Sequence, residues 1–472
     1  MASSRRRATV ISNHRFRLRR PVAECYRLTD ANVASCILEI PTMPAPSSSA
    51  LGFAQANARW LGAGTLLTMS SAFGQTFFIA LFNDDIRAAF SLSNGQFGTV
   101  YAIATLASAA TLISLGRVAD RADIARVVGL CIAALGVVAL VMAALPSLAW
   151  MGWPAIGLLT LGIYGLRLFG QGMMTHLSMT LMAKWFARNR GRAIAVAALG
   201  LPLAEASFPR LAVFIENQLG WRFVWALGGS ALIAIIAPFV GWLVSRMRSP
   251  AAMAEESGGV DFGLTRAEVL RRPSFYLLVF GLMSFGFSYT GVFFTQTNLV
   301  AEKGWPIDLY ASAFALYAGL SVSFMLVGGW AVDRFGAISL LPFNLLPAAI
   351  GLLVLATFDA PATAFVFLAL GGITMGFNAA TVGALWAEIY GTRHLGSIRS
   401  VISSSMVFAT ALAPVILGWL LDAGIPIERQ IAGLGVFMLT GQMVLAIVSR
   451  RQTVLRPEDC YSPPLEAAAE RS

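Results

Sequence analysis

Two ionisable residues stand inside long apolar stretches of the sequence, where a charged group is costly. Arg167 lies in the stretch 154–182, and Glu205 lies in the next one, 191–215. Charges in such surroundings usually mark a substrate, ion or proton site. If both stretches are helices that rise 1.5 Å per residue, each residue lies about 20 Å from the end at which its helix begins. We therefore expect Arg167 and Glu205 at similar depth, facing a common interior.

An arginine beside a carboxyl group can couple the binding of an anion to the binding of a proton. Burial favours the neutral carboxyl group and a nearby guanidinium favours the carboxylate, so movement of the arginine switches protonation. We predict that Arg167 and Glu205 interact, and that Glu205 takes up a proton when Arg167 turns to an anionic ligand. The alternative is a permanent ion pair that fixes one helix against the next.

Other polar side chains in the apolar stretches could serve the same interior. His176 could relay protons, although a lone histidine is more often a hydrogen-bonded packing residue. Arg210 could join the coupling group or extend toward the surface. Candidate hydrogen-bonding groups for a ligand are Gln75, Tyr289, Gln296 and Asn378. Each of these four could equally form a hydrogen bond between helices.

The composition requires an environment other than water around most of the chain. Of the 472 residues, 57% are hydrophobic and 12% are charged, and the mean hydropathy is +0.71. Soluble domains carry about 25% charged residues. The net charge of +10 does not indicate a nucleic-acid partner, because the basic residues fall in loops between apolar stretches. The expected partner is the lipid bilayer.

The sequence carries no pattern for enzymatic chemistry or for a cofactor. The cysteines Cys25, Cys36, Cys131 and Cys460 show no CxxC spacing, so neither a zinc site nor a disulfide framework is predicted. The sequence contains no metal-ligand cluster, nucleophile elbow or phosphate-binding glycine loop. We expect no enzyme activity, no metal and no cofactor.

Twelve apolar stretches are long enough to cross about 30 Å of hydrocarbon as helices. With the N-terminus inside, most of the 34 Lys and Arg residues fall on the inner side, and Arg87, Arg222, Lys303 and Arg429 fall outside. This bias predicts that both termini are cytoplasmic. The predicted fold is an all-α membrane protein with spans at 61–83, 96–116, 126–145, 154–182, 191–215, 221–245, 274–299, 308–332, 337–357, 362–390, 398–421 and 427–449.

The twelve spans group into two sets of six. Residues 59–245 and 274–449 are expected to form an N-terminal and a C-terminal bundle, and the polar segment 246–273 a cytoplasmic linker. The basic segment 1–58 is expected to be disordered, with translation starting at Met1 or at Met43. Residues 450–472 are expected to form a cytoplasmic tail.

The same short motif follows the second span of each half. It reads G-x-x-x-D-R, at Gly116, Asp120 and Arg121 in the first half and at Gly329, Asp333 and Arg334 in the second. Its recurrence at equivalent positions indicates a parallel repeat of six helices. We expect these loops to act as cytoplasmic latches in a gate. The alternative is a solvated turn whose charges only set the topology.

Across residues 61–449 this pattern resembles the major facilitator superfamily of transporters. The resemblance includes Arg167, Gln171 and Gly172, which match the family's R-x-x-x-Q-G pattern, and it implies a coupling role for Arg167 and Gln171. It also implies a monomer in a bacterial inner membrane that moves a small molecule, with H+ as a coupling ion. Segments similar to the monocarboxylate and organic-anion branch are Trp185-Phe186, Arg190-Gly191-Arg192 and Gly220-Trp221-Arg222.

These observations favour proton-coupled transport of a small organic anion, such as a monocarboxylate, by alternating access. Two alternatives stay open, namely proton-driven efflux of amphipathic compounds and a membrane receptor or scaffold that transports nothing. Efflux is disfavoured because the fifth span lacks a full G-P-x-x-G-G motif, with only Gly200 and Pro202 as a fragment. The first span has no lysine, and 308–332 has no Arg and no Asp after Asp308 at its first position, although the organic-anion branch places charges there.

Overall fold

The computed structural model describes residues 50–121, 124–186, 190–245, 263–391 and 393–451. Within these ranges only the backbone is described for 113–121 and a few other positions. The predicted N-terminal segment up to residue 49, most of the linker (246–262) and the tail from residue 452 lie outside the described residues. The described end of the N-terminal segment, Ala50–Ala56, is helical, as its alanine-rich and leucine-containing sequence favours.

Each of the first six predicted spans coincides with a helix or with a run of helical segments. Two of these runs contain a π-helical turn, and the first is interrupted by short 3-10 turns. The helices are α1 (Ala58–Ser70, continued by Thr76–Ile79 and Asn83–Phe90), α2 (Asn94–Arg121), α3 (Ile124–Ala144), α4 (Trp153–Gly165, the π turn Leu166–Met174 and Thr175–Trp185), α5 (Arg190–Ala198 and Gly200–Leu219) and α6 (Trp221–Ala231, the π turn Leu232–Ile236 and Ala237–Val244).

The second half repeats the same order of six. Before it, the short helix Arg266–Leu270 begins with a capping box formed by Thr265 and Glu268. The helices are α7 (Pro273–Phe294, followed by Gln296–Glu302), α8 (Ile307–Phe335), α9 (Ala337–Leu340 and Leu346–Thr357), α10 (Ala362–Tyr390), α11 (Leu395–Asp422) and α12 (Ile427–Arg451).

Most of these helices have the length and hydropathy to cross a membrane. Among the described residues ten do so as single spans, and an eleventh is the bent pair Ala58–Gly74 and Thr76–Phe90, with an angle of 46°. The remaining predicted span falls on α2, whose last residues have no described side chains. All twelve predicted spans therefore correspond to helical segments, since hydropathy over 20 residues is a local property of the sequence.

A break in α1 and a π turn in α4 lie against each other in the first half. Gln75 has an extended backbone (φ −85°, ψ 150°) and separates the two parts of α1. Opposite it, a Cβ atom placed on Gly170 would lie 2.7 Å from the backbone of Gly74, so the two backbones touch directly. Only glycine permits this approach. The contact brings Arg167, in the π turn, to the break in α1.

The two halves are joined at one end of the bundle, where α2 packs on α11 and α5 on α8. The carboxylate of Asp422 accepts hydrogen bonds from the backbone N–H of Asn94 (3.0 Å) and of Gly95 (2.7 Å). Nearby, the side-chain amide of Asn83 donates to the carbonyl of Phe294 at 2.7 Å. We call the end that holds these residues the clasped end.

Candidate functional site

A cavity of about 280 Å³ lies between the two halves. This volume is near the lower end of the range of roughly 300–1,000 Å³ for small-molecule sites. The first half contributes both charged side chains, and the second half contributes most of the apolar ones. Its lining residues are Gln75, Thr76, Phe77, Arg167, Gln171, Leu201 and Glu205, and then Leu282, Phe285, Gly286, Tyr289, Thr290, Phe293, Tyr317, Met375, Asn378, Met406 and Thr410.

Arg167 is held in this cavity by two groups of the first half. Its side chain is 3% exposed, and its Nη1 donates to the backbone carbonyl of Gly74 at 2.9 Å. Its guanidinium carbon lies 5.3 Å from the centroid of the Tyr101 ring, within the range of a cation–π interaction. Its Nε is buried and has no hydrogen-bond partner among the described residues.

Tyr101 supports this arginine, and the sequence does not single it out. Its ring is fully buried, and its hydroxyl shares a hydrogen bond of 2.8 Å with Thr76 Oγ1 at the break in α1. The ring also lies 5.1 Å from that of Phe294 in the second half. A tyrosine in an apolar stretch looks like an ordinary packing residue in sequence, so nothing in the pattern distinguishes this one.

Glu205 lines the same cavity from α5 and is 8% exposed. Among the described ion pairs there is none within 4.0 Å between Glu205 and Arg167. The expected common interior is therefore present, but the expected direct pair is not, and neither is the alternative of a fixed structural ion pair. The physical reason is that Arg167 turns toward the Gly74 carbonyl and the Tyr101 ring.

Four other predicted residues line the cavity, namely Gln75, Gln171, Tyr289 and Asn378. The Tyr289 hydroxyl donates to the carbonyl of Phe367 at 3.3 Å, and Asn378 Oδ1 accepts from Asn344 Nδ2 at 2.7 Å. Both side chains thus combine the two roles that the sequence left open, since each faces the cavity and also bonds another helix. Gln75 lies in the break of α1 and is half-buried.

The structure corrects the placement of Gln296. The sequence predicts that this residue lines the cavity, but its side chain is fully buried and Nε2 donates to the backbone carbonyl of Phe77 at 3.0 Å. The bond joins α7 to α1 across the halves, beside the matching bond from Asn83 to Phe294. Gln296 is therefore part of the clasped end, where the break after Phe294 places it.

Two of the proposed coupling residues lie away from the cavity lining. Arg210 is exposed and borders a surface cleft between α5 and α8 that also contains Asp308. His176 is half-buried on Thr175–Trp185, and its Nε2 has no hydrogen-bond partner in the described ranges. Neither side chain is among the described lining residues. The five residues from Glu205 to Arg210 turn a helix by about 140°, which carries Arg210 to another face.

The latch motifs occupy the ends of α2 and α8. Asp333 and Arg334 are exposed, Gly329 is half-buried, and the Arg334 guanidinium carbon lies 5.8 Å from the Phe335 ring centroid. Gly116, Asp120 and Arg121 are helical in backbone, and their side chains lie outside the described part. Beside the second motif, Glu388 of α10 accepts a hydrogen bond of 2.6 Å from the backbone N–H of Ala337. This carboxylate caps the N-terminus of α9, a role that the sequence does not indicate.

No group of three or more His, Cys, Asp or Glu side chains that could hold a metal ion occurs within the described ranges. The polar side chains that line the cavity include one guanidinium (Arg167), one carboxyl group (Glu205) and the amides of Gln75, Gln171 and Asn378.

Crystal structures of a bacterial homolog of the human lysosomal transporter Spinster are similar in fold to this chain. The inward-facing, unoccupied structure gives a TM-score of 0.65 at 16% identity and covers 86% of this chain and 99% of that chain. The inward-facing, occupied structure gives 0.64 at 17% identity and covers 86% and 98%. Identities this low show a shared fold alone.

Among curated proteins none matches this chain in sequence. The model of the Major Facilitator Superfamily matches residues 64–368 and 298–457, which together span most of the chain. The family match and the helical architecture confirm the predicted all-α membrane fold and a multi-pass membrane transporter that works by alternating access. The chain belongs to the Major Facilitator Superfamily.

Proposed function

We propose that this transporter moves a small organic anion together with a proton. The observation that carries the proposal is that Arg167 and Glu205 line one cavity between the halves without pairing with each other. A guanidinium and a carboxylate that formed an ion pair with each other would leave few hydrogen-bonding groups for a substrate. Here each retains capacity for a separate ligand, an anion at Arg167 and a proton at Glu205.

Arg167 binds the anion in this proposal. Its Nη1 stays on the Gly74 carbonyl, which fixes the direction of the guanidinium, and its Nε has no partner within the described part of the chain. Hydrogen bonds between a guanidinium and a carboxylate are about twice as strong as those between neutral groups. Gln75 and Gln171 stand in the same cavity as additional donors.

Glu205 carries the proton. Glu205 is 8% exposed, and none of the described ion pairs includes it, so a negative charge on its carboxyl group is costly to maintain. Protonation removes that cost. The proton on Glu205 and the anion at Arg167 are then carried across together when the conformation changes. Loss of the substrate lets water reach Glu205 from the receiving side, and the proton leaves to that side.

The clasped end is the outer end in the orientation that the positive charges predict, with both termini in the cytoplasm of a bacterial inner membrane. The conformation is then closed toward the outside. The hydrogen bonds of Asp422, Asn83 and Gln296 across the halves must break for the outside to open. We also propose that the chain works as a monomer, since the cavity is completed by its own two halves.

Transport by reconstituted protein tests this function. Liposomes that contain a pH-sensitive dye are supplied with small carboxylates, and internal acidification is followed for the natural chain and for Arg167→Ala. We expect a carboxylate to drive acidification and Arg167→Ala to abolish it. Arg210→Ala is the matched control, because Arg210 is on α5 but outside the cavity lining, and it should transport normally.

Two results would contradict the function. One is proton movement that depends only on cationic or amphipathic compounds, which favours the efflux alternative. The other is carboxylate-driven acidification that survives in Arg167→Ala, which removes Arg167 from the site. A folded protein that moves no solute at all would favour the receptor or scaffold.

A further inference from the structure

The second half presents an aromatic wall to the cavity. Phe285, Tyr289 and Phe293 are spaced four residues apart on α7, so they lie on one face of that helix, and Tyr317 of α8 completes the wall. Ring centroids are 4.7 Å apart for Phe285 and Tyr289, 5.8 Å for Tyr289 and Phe293, and 5.9 Å for Phe293 and Tyr317. We call these four residues the aromatic wall.

Three polar side chains on this side of the cavity bond the protein. The Tyr289 hydroxyl donates to the carbonyl of Phe367, the Thr410 hydroxyl donates to the carbonyl of Val407 at 3.0 Å, and Asn378 Oδ1 accepts from Asn344. None of the described lining residues from the second half is charged. This side therefore offers ring faces, ring edges and apolar surface, and no charged group among its described residues.

The opposite side of the cavity holds both charged side chains, beside the apolar Phe77 and Leu201. It contains Arg167, Glu205, Gln75 and Gln171. A ligand that spans the cavity thus meets a cation at one end and aromatic rings at the other. A short anion such as acetate would satisfy Arg167 and leave the aromatic wall uncovered.

We propose that the transported anion is an aromatic carboxylate, with its carboxylate at Arg167 and its ring against the aromatic wall. This inference rests on the proposed function, since it assigns the substrate class of the same site. Aromatic rings attract one another in edge-to-face and offset arrangements beyond what apolar area alone gives. Met375 and Met406 border the same space, and methionine sulfur makes favourable contacts with ring edges. A planar aromatic ring therefore gains more binding free energy at the aromatic wall than a saturated ring or a chain of similar size.

Uptake of three radiolabelled carboxylates by reconstituted protein tests this assignment. Benzoate carries the ring, cyclohexanecarboxylate carries a saturated ring of similar size, and propionate carries neither. We expect a KM for benzoate that is about two- to tenfold lower than for cyclohexanecarboxylate, with propionate the weakest substrate. The preference between benzoate and cyclohexanecarboxylate separates ring recognition from simple burial of apolar surface.

Two variants test whether the preference for benzoate depends on the aromatic wall. Phe293→Leu keeps an apolar side chain but removes the ring, and we expect it to raise the KM for benzoate by about two- to tenfold while changing that for propionate little. Phe287→Leu is the control, because Phe287 is on the same helix but packs on Phe437 at 5.7 Å and does not line the cavity. A selectivity ratio is the readout, so a loss of folded protein cannot imitate the result.

The outcomes distinguish this inference from the proposed function. Equal uptake of benzoate, cyclohexanecarboxylate and propionate that needs Arg167 would overturn the aromatic assignment and leave anion transport standing. The same holds if Phe293→Leu and Phe287→Leu keep the same selectivity ratio. Absence of uptake for all three carboxylates would overturn both, and uptake of benzylammonium instead would identify an aromatic cation as the substrate.

Discussion

The carboxylate of Asp422, at the last residue of α11, accepts a hydrogen bond of 2.7 Å from the backbone N–H of Gly95, at the start of α2. It thereby caps a helix that belongs to the other half of the protein. Backbone N–H groups at a helix start lack partners within the helix, and a carboxylate there is favoured by the helix dipole. The backbone N–H groups at the start of α2, which have no partners within that helix, thus form a contact between the halves.

Replacing Asp422 by alanine should weaken the clasped end and populate the conformation that opens there. Replacing a capping aspartate by alanine costs about 0.5–2 kcal/mol, so we expect the equilibrium to move by about two- to thirtyfold. The measurement is the rate at which a membrane-impermeant maleimide, added on the side of the clasped end, labels Gln171→Cys in a variant without the natural cysteines.

Asp359→Asn is the control for this labelling. Asp359 is also a carboxylate near the same end, but it pairs with Lys303 at 2.6 Å within the second half and does not join the halves. It should leave the rate unchanged. Equal labelling rates with Asp422→Ala and with Asp422 in place would show that other contacts hold the clasped end closed.

Gly170→Ala should displace the π turn of α4 from the break in α1. The added Cβ would lie 2.7 Å from the backbone of Gly74, which cannot move aside as a flexible side chain could. Overpacking of this kind costs about 1–3 kcal/mol. Because Arg167 bonds the Gly74 carbonyl, we expect a raised KM for the carboxylate in addition to a lower thermal unfolding temperature in detergent.

A glycine-to-alanine substitution elsewhere on α4 shows whether the effect is specific to Gly170 or follows from any added methyl group. A Cβ atom added at Gly157 would meet no other atom within 4 Å, so Gly157→Ala should keep both stability and KM. If Gly170→Ala transports with an unchanged KM, the contact between Gly74 and Gly170 does not position Arg167.

Two substitutions at Tyr101 separate its hydroxyl from its ring. Tyr101→Phe removes the hydrogen bond to Thr76, which contributes about 0.5–1.5 kcal/mol, and keeps the ring beside Arg167. We expect a modest loss of thermal stability and nearly unchanged uptake. Tyr101→Leu also removes the ring, and with it a cation–π interaction of about 0.5–2 kcal/mol.

For Tyr101→Leu we expect a several-fold change in the KM for the carboxylate, measured in the same uptake assay. The comparison with Tyr101→Phe corrects for the lost hydroxyl. Equal KM values in the two variants would mean that the ring does not hold Arg167 in its transport position.

The fold was predictable because its signals are local. Apolar runs of about 20 residues identify spans without knowledge of the partner helices, and all twelve coincide with helical segments. Arg167 and Glu205 could also be found, since a charge in an apolar run is visible in the sequence itself. Their common cavity follows from depth along neighbouring helices.

What the sequence did not predict depends on contacts between distant segments. Gln296 and Asn378 are both amides in apolar runs, yet one joins the halves and the other lines the cavity. The missing pair between Arg167 and Glu205 results from the π turn and from the approach of Gly74 to Gly170, which no periodicity indicates. Of the aromatic wall, Tyr289 was predicted at the cavity, whereas Phe285, Phe293 and Tyr317 were missed because rings in a membrane helix resemble ordinary packing residues.

The central claim, that Glu205 carries the proton, is tested most directly by comparing exchange with uphill uptake in Glu205→Gln. Exchange of labelled for unlabelled substrate across a proteoliposome membrane needs no net proton movement, whereas accumulation driven by a pH gradient does. Glutamine keeps the size and polarity of a protonated glutamate. We predict that Glu205→Gln exchanges substrate at close to the natural rate and loses accumulation driven by the pH gradient. Accumulation that persists in Glu205→Gln would contradict the account.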